Sequence, residues 1–178
     1  MALIVIAFTV LLGLYMAWNI GANDVANSMA DAVGSKAISI KWAIIAAGVC
    51  EFAGAVLVGS HVTDTVRKGI VSPDAFAANP EVLVLGMACA LLAAAVWLHI
   101  ATWMAMPVST THSIVGAVAG FGLIAVGSQG VEWGKMGQIV ASWVISPIAG
   151  GVLAFIIFRL ISRFVLGREK PVIAAIRI

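Results

Sequence analysis

Asn23, Asp24, Asn27, Ser28 and Asp31 crowd the stretch between Gly21 and Gly34. On a helix Asn23, Asn27 and Asp31 are spaced four apart and share one face, with Asp24 and Ser28 beside them. Ala, Val and Met fill the intervening positions, a pattern that suits a helix with one polar stripe better than a solvated loop capped by Asn and Asp. Gly21 and Gly34 would allow sharp changes of direction. The expected form is therefore a short half-helix entered through an unwound glycine, whose exposed carbonyls and amides could hold an ion inside a protein cavity. A second polar cluster runs from Pro107 through Ser109, Thr110, Thr111 and His112 to Ser113. Pro opens helices and Ser or Thr caps them. Hydroxyls together with free amides at a helix start make a cradle for an oxyanion; the plainer reading is an N-cap at a membrane surface. Glu51 is the third feature. It falls midway along an apolar run, where a carboxylate marks a proton or cation site unless it is protonated and bonded for packing. His61 and Asp64 fit a solvated loop, and His99 fits helix packing.

The elements that must position these groups are membrane helices. Of 178 residues, 62% are apolar and 10% charged, and the mean hydropathy is +1.11. Soluble domains carry about 25% charged residues, so lipid must be the solvent for much of the surface. A net charge of +2 is too small to suggest a nucleic-acid partner. Cys50 and Cys89 lie in apolar runs and read as buried free thiols. A crossing needs about 20 apolar residues. Runs of that kind occupy 1–18 and 42–60, and no Asp, Glu, Lys or Arg occurs from Val82 to Val131. That stretch is too long for one crossing; it divides at Pro107 into helices over 82–104 and 113–127. A last span covers 138–158, for about five crossings in all. The first run opens at Met1 without a basic leader and is expected to be retained. Pro171–Ile178 reads as the start of a further apolar segment, cut short. Arg159, Arg163, Arg168, Lys170 and Arg177 with Lys36 and Lys41 outnumber Arg67, Lys68 and Lys135, which predicts an outside amino terminus and an inside tail. Trp42, Trp103 and Trp133 fall near span ends, and Gly116 and Gly120 have the spacing of a close helix contact.

The segment Gly21–Ser28, GANDVANS, closely resembles a motif of the inorganic phosphate transporter family known as PiT. Pro107–His112, PVSTTH, resembles its second motif, and Glu51–Ile70 resembles the segment between them. The resemblance covers nearly the whole chain in order. It implies an all-α membrane protein that forms one half of an inverted repeat, with each half carrying both motifs. No second GAND-like segment occurs in the chain, so a complementary second repeat is an expected partner. The implied activity is phosphate symport driven by Na⁺ or H⁺, in a plasma or bacterial inner membrane, with no enzymatic cofactor. By position, Asn23, Asp24 and Asn27 would form the cation and substrate region, a Na⁺ site included. Ser109, Thr110 and Thr111 would contact phosphate oxygens, and Glu51 matches an acidic position linked to transport.

Co-ions have a physical reason. Moving a dianion against 100 mV costs about 4.6 kcal/mol, at roughly 2.3 per charge; co-moving cations offset that and screen Asp24, and Glu51 if it takes part, from the anion. Sulfate is the other tetrahedral oxyanion such a site could take. A non-transporting interaction module built on the glycine faces is a separate class, and homo-oligomers are left open. A hydrolase using Ser109 or Ser113 with His112 is disfavoured: neighbours at a helix start rarely pair as nucleophile and base, and no G-x-S-x-G elbow occurs.

Overall fold

The computed structural model describes residues 2–167; the apolar stretch expected over 171–178 lies outside the described residues. Among the described residues five α-helices follow in order: α1 (Ala2–Gly34), α2 (Ile40–Lys68), α3 (Pro80–Trp103), α4 (Thr110–Val126) and α5 (Trp133–Ile161). A helix satisfies its backbone N–H and C=O groups within its own segment, and that is what an apolar chain needs where water is absent. Helices α1, α2, α3 and α5 are long and apolar enough to cross a membrane. Helix α4, with 17 residues, is about 25 Å long, a little under the ~30 Å hydrocarbon core. Among the described residues, extended pairing is confined to one antiparallel bridge, Val71 with Val131.

The helices run further than the apolar runs predicted, since a helix stops at a capping signal and not at the last apolar residue. The largest difference is in α1. The expected break at Gly21 is absent, and the helix continues from the apolar run through the polar stripe to Gly34. A glycine inside a helix costs about 1 kcal/mol relative to Ala. Unwinding there would instead strand several backbone groups in apolar surroundings, so continuity wins. The left-handed residue that closes α1 is Lys36 (φ 61°), two residues past Gly34. The Ala37 N–H donates to Ala32 O and the Lys36 N–H to Val33 O, both at 3.0 Å, the paired bonds of a Schellman cap.

Helix α3 ends in the same way. Ala105 takes φ 55°, the Met106 N–H donates to Ala101 O at 2.8 Å and the Ala105 N–H to Thr102 O at 3.0 Å. Pro107 follows, as proline often does after such a cap, and its missing N–H and fixed φ prevent the helix from resuming. The chain therefore turns back before α4, whose N-cap is Ser109: its Oγ accepts from the His112 N–H at 3.3 Å. The fourth helix thus begins at Thr110, not at 113.

Helix α3 packs against both α1 and α4. Its buried residues, Gly86, Ala90, Ala94, Ala95, Leu98 and Ala101, are mostly small and recur at helical spacing, which brings backbones close where lipid gives no hydrophobic drive for association. Met16 of α1 joins Ala94, Ala95 and Leu98 in the core. The close approaches are at Gly86 and Gly122. A β-carbon on Gly86 would collide with the Phe121 ring, and one on Gly122 would meet Val71, whereas Gly116 and Gly120 have nothing within 4 Å. Phe121 is itself held by stacking on Phe76, ring centres 5.4 Å apart. Gly86→Ala should therefore lower stability by about 1–3 kcal/mol, the usual cost of overpacking, read as a drop in melting temperature in detergent. Adding Phe121→Leu should recover part of the loss; an unaltered melting curve for Gly86→Ala would show that the ring moves aside freely.

The surface is inverted relative to a water-soluble protein. Ile124 is 91% exposed and Trp103 85%, while Asn19 and Asn23 are buried at 2% and 4%. Lipid is the matching solvent for such a body. Cys50 and Cys89, expected to be buried, are both exposed; an apolar neighbourhood in sequence here means a lipid-facing surface and not a protein core. Among the described residues, 134–167 belong to a second compact unit. Its helix α5 contains Pro147, has no buried residue and passes into a π-helical turn over Ser162–Leu166.

Candidate functional site

The polar stripe of α1 meets the turn between α3 and α4. The return of the chain after Ala105 lays Met106–Val108 along Asn23 and Asn27. Asn23 is the hub: its Nδ2 donates to Thr102 Oγ1 at 3.1 Å and to Met106 O at 3.4 Å. Its Oδ1 accepts from Asn27 Nδ2 at 2.9 Å and from the Val108 N–H at 3.4 Å. An Asn amide offers two donors and two acceptor positions, so all four of Asn23's are engaged by protein. Asn27 Nδ2 also donates to Val108 O at 3.2 Å, while its Oδ1 carries no hydrogen bond among the described residues.

One position along, half-buried Asp24 faces the start of α4. Thr110 Oγ1 donates to Asp24 Oδ2 at 3.0 Å, across 86 residues of sequence, and Thr110 is 9% exposed. The amides of Thr110 and Thr111 are among those a helix start leaves without intrahelical acceptors; that of His112 is taken by the Ser109 cap. The Ser113 hydroxyl turns back to Ser109 O at 2.8 Å. A groove of about 460 Å³ opens beside the network, lined by Asn23, Asn27, Thr102, Met106 and Pro107 with Ala22, Ala26, Ala30 and Ala105. None of its lining residues is charged, so an anion held there would find dipoles and hydroxyls but no Lys or Arg.

Asn23, Asp24, Asn27, Ser109 and Thr110 are thus brought together. Thr111 is at the same helix start and, like Asn27 and Ser109, is exposed. Glu51 is not in this cluster: its side chain is exposed on α2 and forms no hydrogen bond or ion pair among the described residues. Mid-span position marked it as costly but could not say which face of α2 it occupies. Three contributors were missed: Thr102 and the backbone of Met106 and of Val108. Thr102 lies in an apolar run, and only its distance from the proline turn hints at a role. The carbonyl and amide of Val108 are backbone atoms, which residue type does not advertise. Asn19, buried one turn before Asn23, donates to Tyr15 O at 2.8 Å and extends the amide stripe deeper along α1.

A helical body with an apolar outer surface and a polar cluster at a helix junction, buried at Asn23 and Thr110 and open at Asn27 and Ser109, is the framework of a polytopic membrane protein. Residues 20–178 match the phosphate transporter family, and the chain belongs to that family. It is 51% identical over 164 residues to a candidate phosphate permease of Thermococcus kodakarensis, covering 92% of this chain and 40% of that protein. It is 47% identical over 163 residues to inorganic phosphate transporter 2-1, chloroplastic, of Arabidopsis thaliana, covering 92% of this chain and 28% of the relative. A solved structure of a sodium-dependent phosphate transporter superposes with a TM-score of 0.86 at 49% identity, over 96% of this chain and 42% of that one. The chain spans less than half the length of these relatives.

Proposed function

We propose that the chain supplies one repeat of a cation-coupled symporter for inorganic phosphate, with Na⁺ as the co-ion, and that a complementary second repeat completes the pathway. The observation that carries this reading is the meeting of two polar stretches far apart in sequence, Asn23–Asn27 and Met106–Thr110, in an otherwise apolar body. In this reading the phosphate oxygens are held by the Ser109 and Thr111 hydroxyls and the amides that open α4, with Thr110 and the Asn27 amide at the edge of the site. Asn27 Oδ1 and the Asp24 carboxylate take the cation. Asn23 shapes the site through the turn it holds. Glu51, on the outer surface of α2, would enter only where a second repeat covers that surface. Helix α4 serves as the fifth crossing, with the amino terminus outside the cell membrane.

Charge makes the cation necessary. A phosphate charge about 5 Å from Asp24 at an effective dielectric of 20 is repelled by about 3 kcal/mol, which the hydroxyl and amide donors would scarcely offset. A cation between the two reverses the sign. The sodium dependence stated for the structurally similar transporter supports Na⁺ over H⁺. The test is uptake of radioactive phosphate into liposomes holding this chain with its second repeat, with sodium and pH gradients imposed separately. A sodium gradient alone is expected to drive accumulation, and unlabelled phosphate to compete better than sulfate. Accumulation driven only by the pH gradient would overturn the choice of co-ion, and equal competition by sulfate the choice of anion.

A further inference from the structure

We propose that the end of α5 carries a binding site for an anionic glycerophospholipid, built from Arg159, Ser162 and Arg163. The inference is independent of the transport reading. From Met136 to Phe158 the helix has no charged residue, and Lys135 and Arg159 are separated by about 36 Å of helix, slightly more than the ~30 Å hydrocarbon core. The two arginines therefore reach the level of the lipid headgroups. They are four apart, on one face of the helix as it passes into the π-helical turn of Ser162–Leu166. Together they line a hollow of about 570 Å³ with Phe155, Ile156, Leu160 and Ser162. Neither guanidinium meets a carboxylate among the described residues. Each lies near an aromatic ring instead, Arg159 5.9 Å from the centre of Phe155 and Arg163 5.8 Å from that of Phe164.

The hollow has two chemistries side by side. Its polar end offers guanidinium forks, which suit a phosphodiester, and the Ser162 hydroxyl. Its apolar end offers Phe155, Ile156 and Leu160, exposed by 63%, 49% and 50%, along which an acyl chain can lie. A lipid with a negatively charged headgroup satisfies both ends; a free phosphate satisfies only the first. Arg168, Lys170 and Arg177 follow in the sequence against the single acid Glu169, which adds to the attraction of an anionic leaflet.

The test is native mass spectrometry of the chain in detergent, titrated with phosphatidylglycerol or phosphatidylcholine. Wild type is expected to prefer phosphatidylglycerol. Arg159→Gln with Arg163→Gln should weaken that binding about 30-fold, from about 1 kcal/mol for each of two basic residues, and leave phosphatidylcholine unaffected. Lys36→Gln with Lys41→Gln, which removes the same charge elsewhere, should keep the preference, and inorganic phosphate should not displace the lipid. The proposal is overturned if wild type shows no preference for phosphatidylglycerol, a result that needs no variant to fold. It also fails if the arginine variant keeps the wild-type affinity, or if the lysine variant loses as much. Displacement of the lipid by inorganic phosphate would make the site one for free anions.

Discussion

Asp24→Asn is expected to abolish sodium-dependent phosphate uptake while leaving the protein folded. The substitution keeps the size of the side chain and an oxygen that can accept from Thr110, whose bond to Asp24 is 3.0 Å long, so the junction between α1 and α4 has no steric reason to open. What disappears is the negative charge. At an effective dielectric of 20, a cation held by the carboxylate about 3 Å away loses about 5 kcal/mol of attraction, more than a thousandfold in affinity. Thr110→Val is the informative companion. It removes one hydrogen bond to a charged group, about 1.5–3 kcal/mol, and leaves the charge in place. Uptake should then need roughly tenfold or more additional sodium without losing its dependence on it. The measurement is initial uptake rate against sodium concentration for both variants with the second repeat present, and melting temperature is the check on folding. Wild-type sodium dependence in Asp24→Asn would remove Asp24 from the coupling role.

The second large effect belongs to Asn23. Asn23→Leu keeps the branched shape of the side chain, with more bulk, in a site only 4% exposed and deletes all four of its bonds. Hydrogen bonds within membrane proteins average about 0.6 kcal/mol each, so the loss should be about 2–3 kcal/mol. It leaves Thr102, the Met106 carbonyl, the Val108 amide and one Asn27 donor short of partners in apolar surroundings. The structural consequence is local. Met106–Ser109 lose their anchor on α1, the amides of Met106, Val108 and Ser109 should exchange with solvent faster by hydrogen-exchange mass spectrometry, and phosphate affinity should fall with them. Asn23→Asp tests the same point from the other side: it keeps both acceptor positions, loses both donors to Thr102 and Met106, and adds a charge. If Asn23→Leu melts as wild type does and keeps wild-type exchange at Met106–Ser109, Asn23 is not the anchor of that turn.

Much of this site was legible before the fold was known. Four-residue spacing placed Asn23 and Asn27 on one face, and they share one in α1. Pro107 and Ser109 marked a turn and a cap, and Ser109 caps α4. Other features failed for identifiable reasons. Gly21 suggested an unwound entry because glycine permits one, but permission carries no driving force where each stranded backbone group is costly. Gly116 and Gly120 had the spacing of a close helix contact, yet the approaches formed at Gly86 and Gly122, since spacing does not say which face meets a neighbour.

Composition and periodicity on their own determined that the body is helical and lipid-embedded, and which two stretches are too polar to face lipid. They do so because transfer free energy depends on residue type, and helical period on position, both properties of the chain taken locally. The tertiary structure alone decided that those stretches meet, that Asn23 spends its whole hydrogen-bonding capacity on the turn after α3, and that Glu51 stays on the outside of α2. These outcomes depend on how α3 docks between α1 and α4 and on the left-handed turn at Ala105 that returns the chain to α1. Contacts of that kind join atoms some eighty residues apart, many of them backbone, and are settled by packing and hydrogen-bond satisfaction across the whole fold.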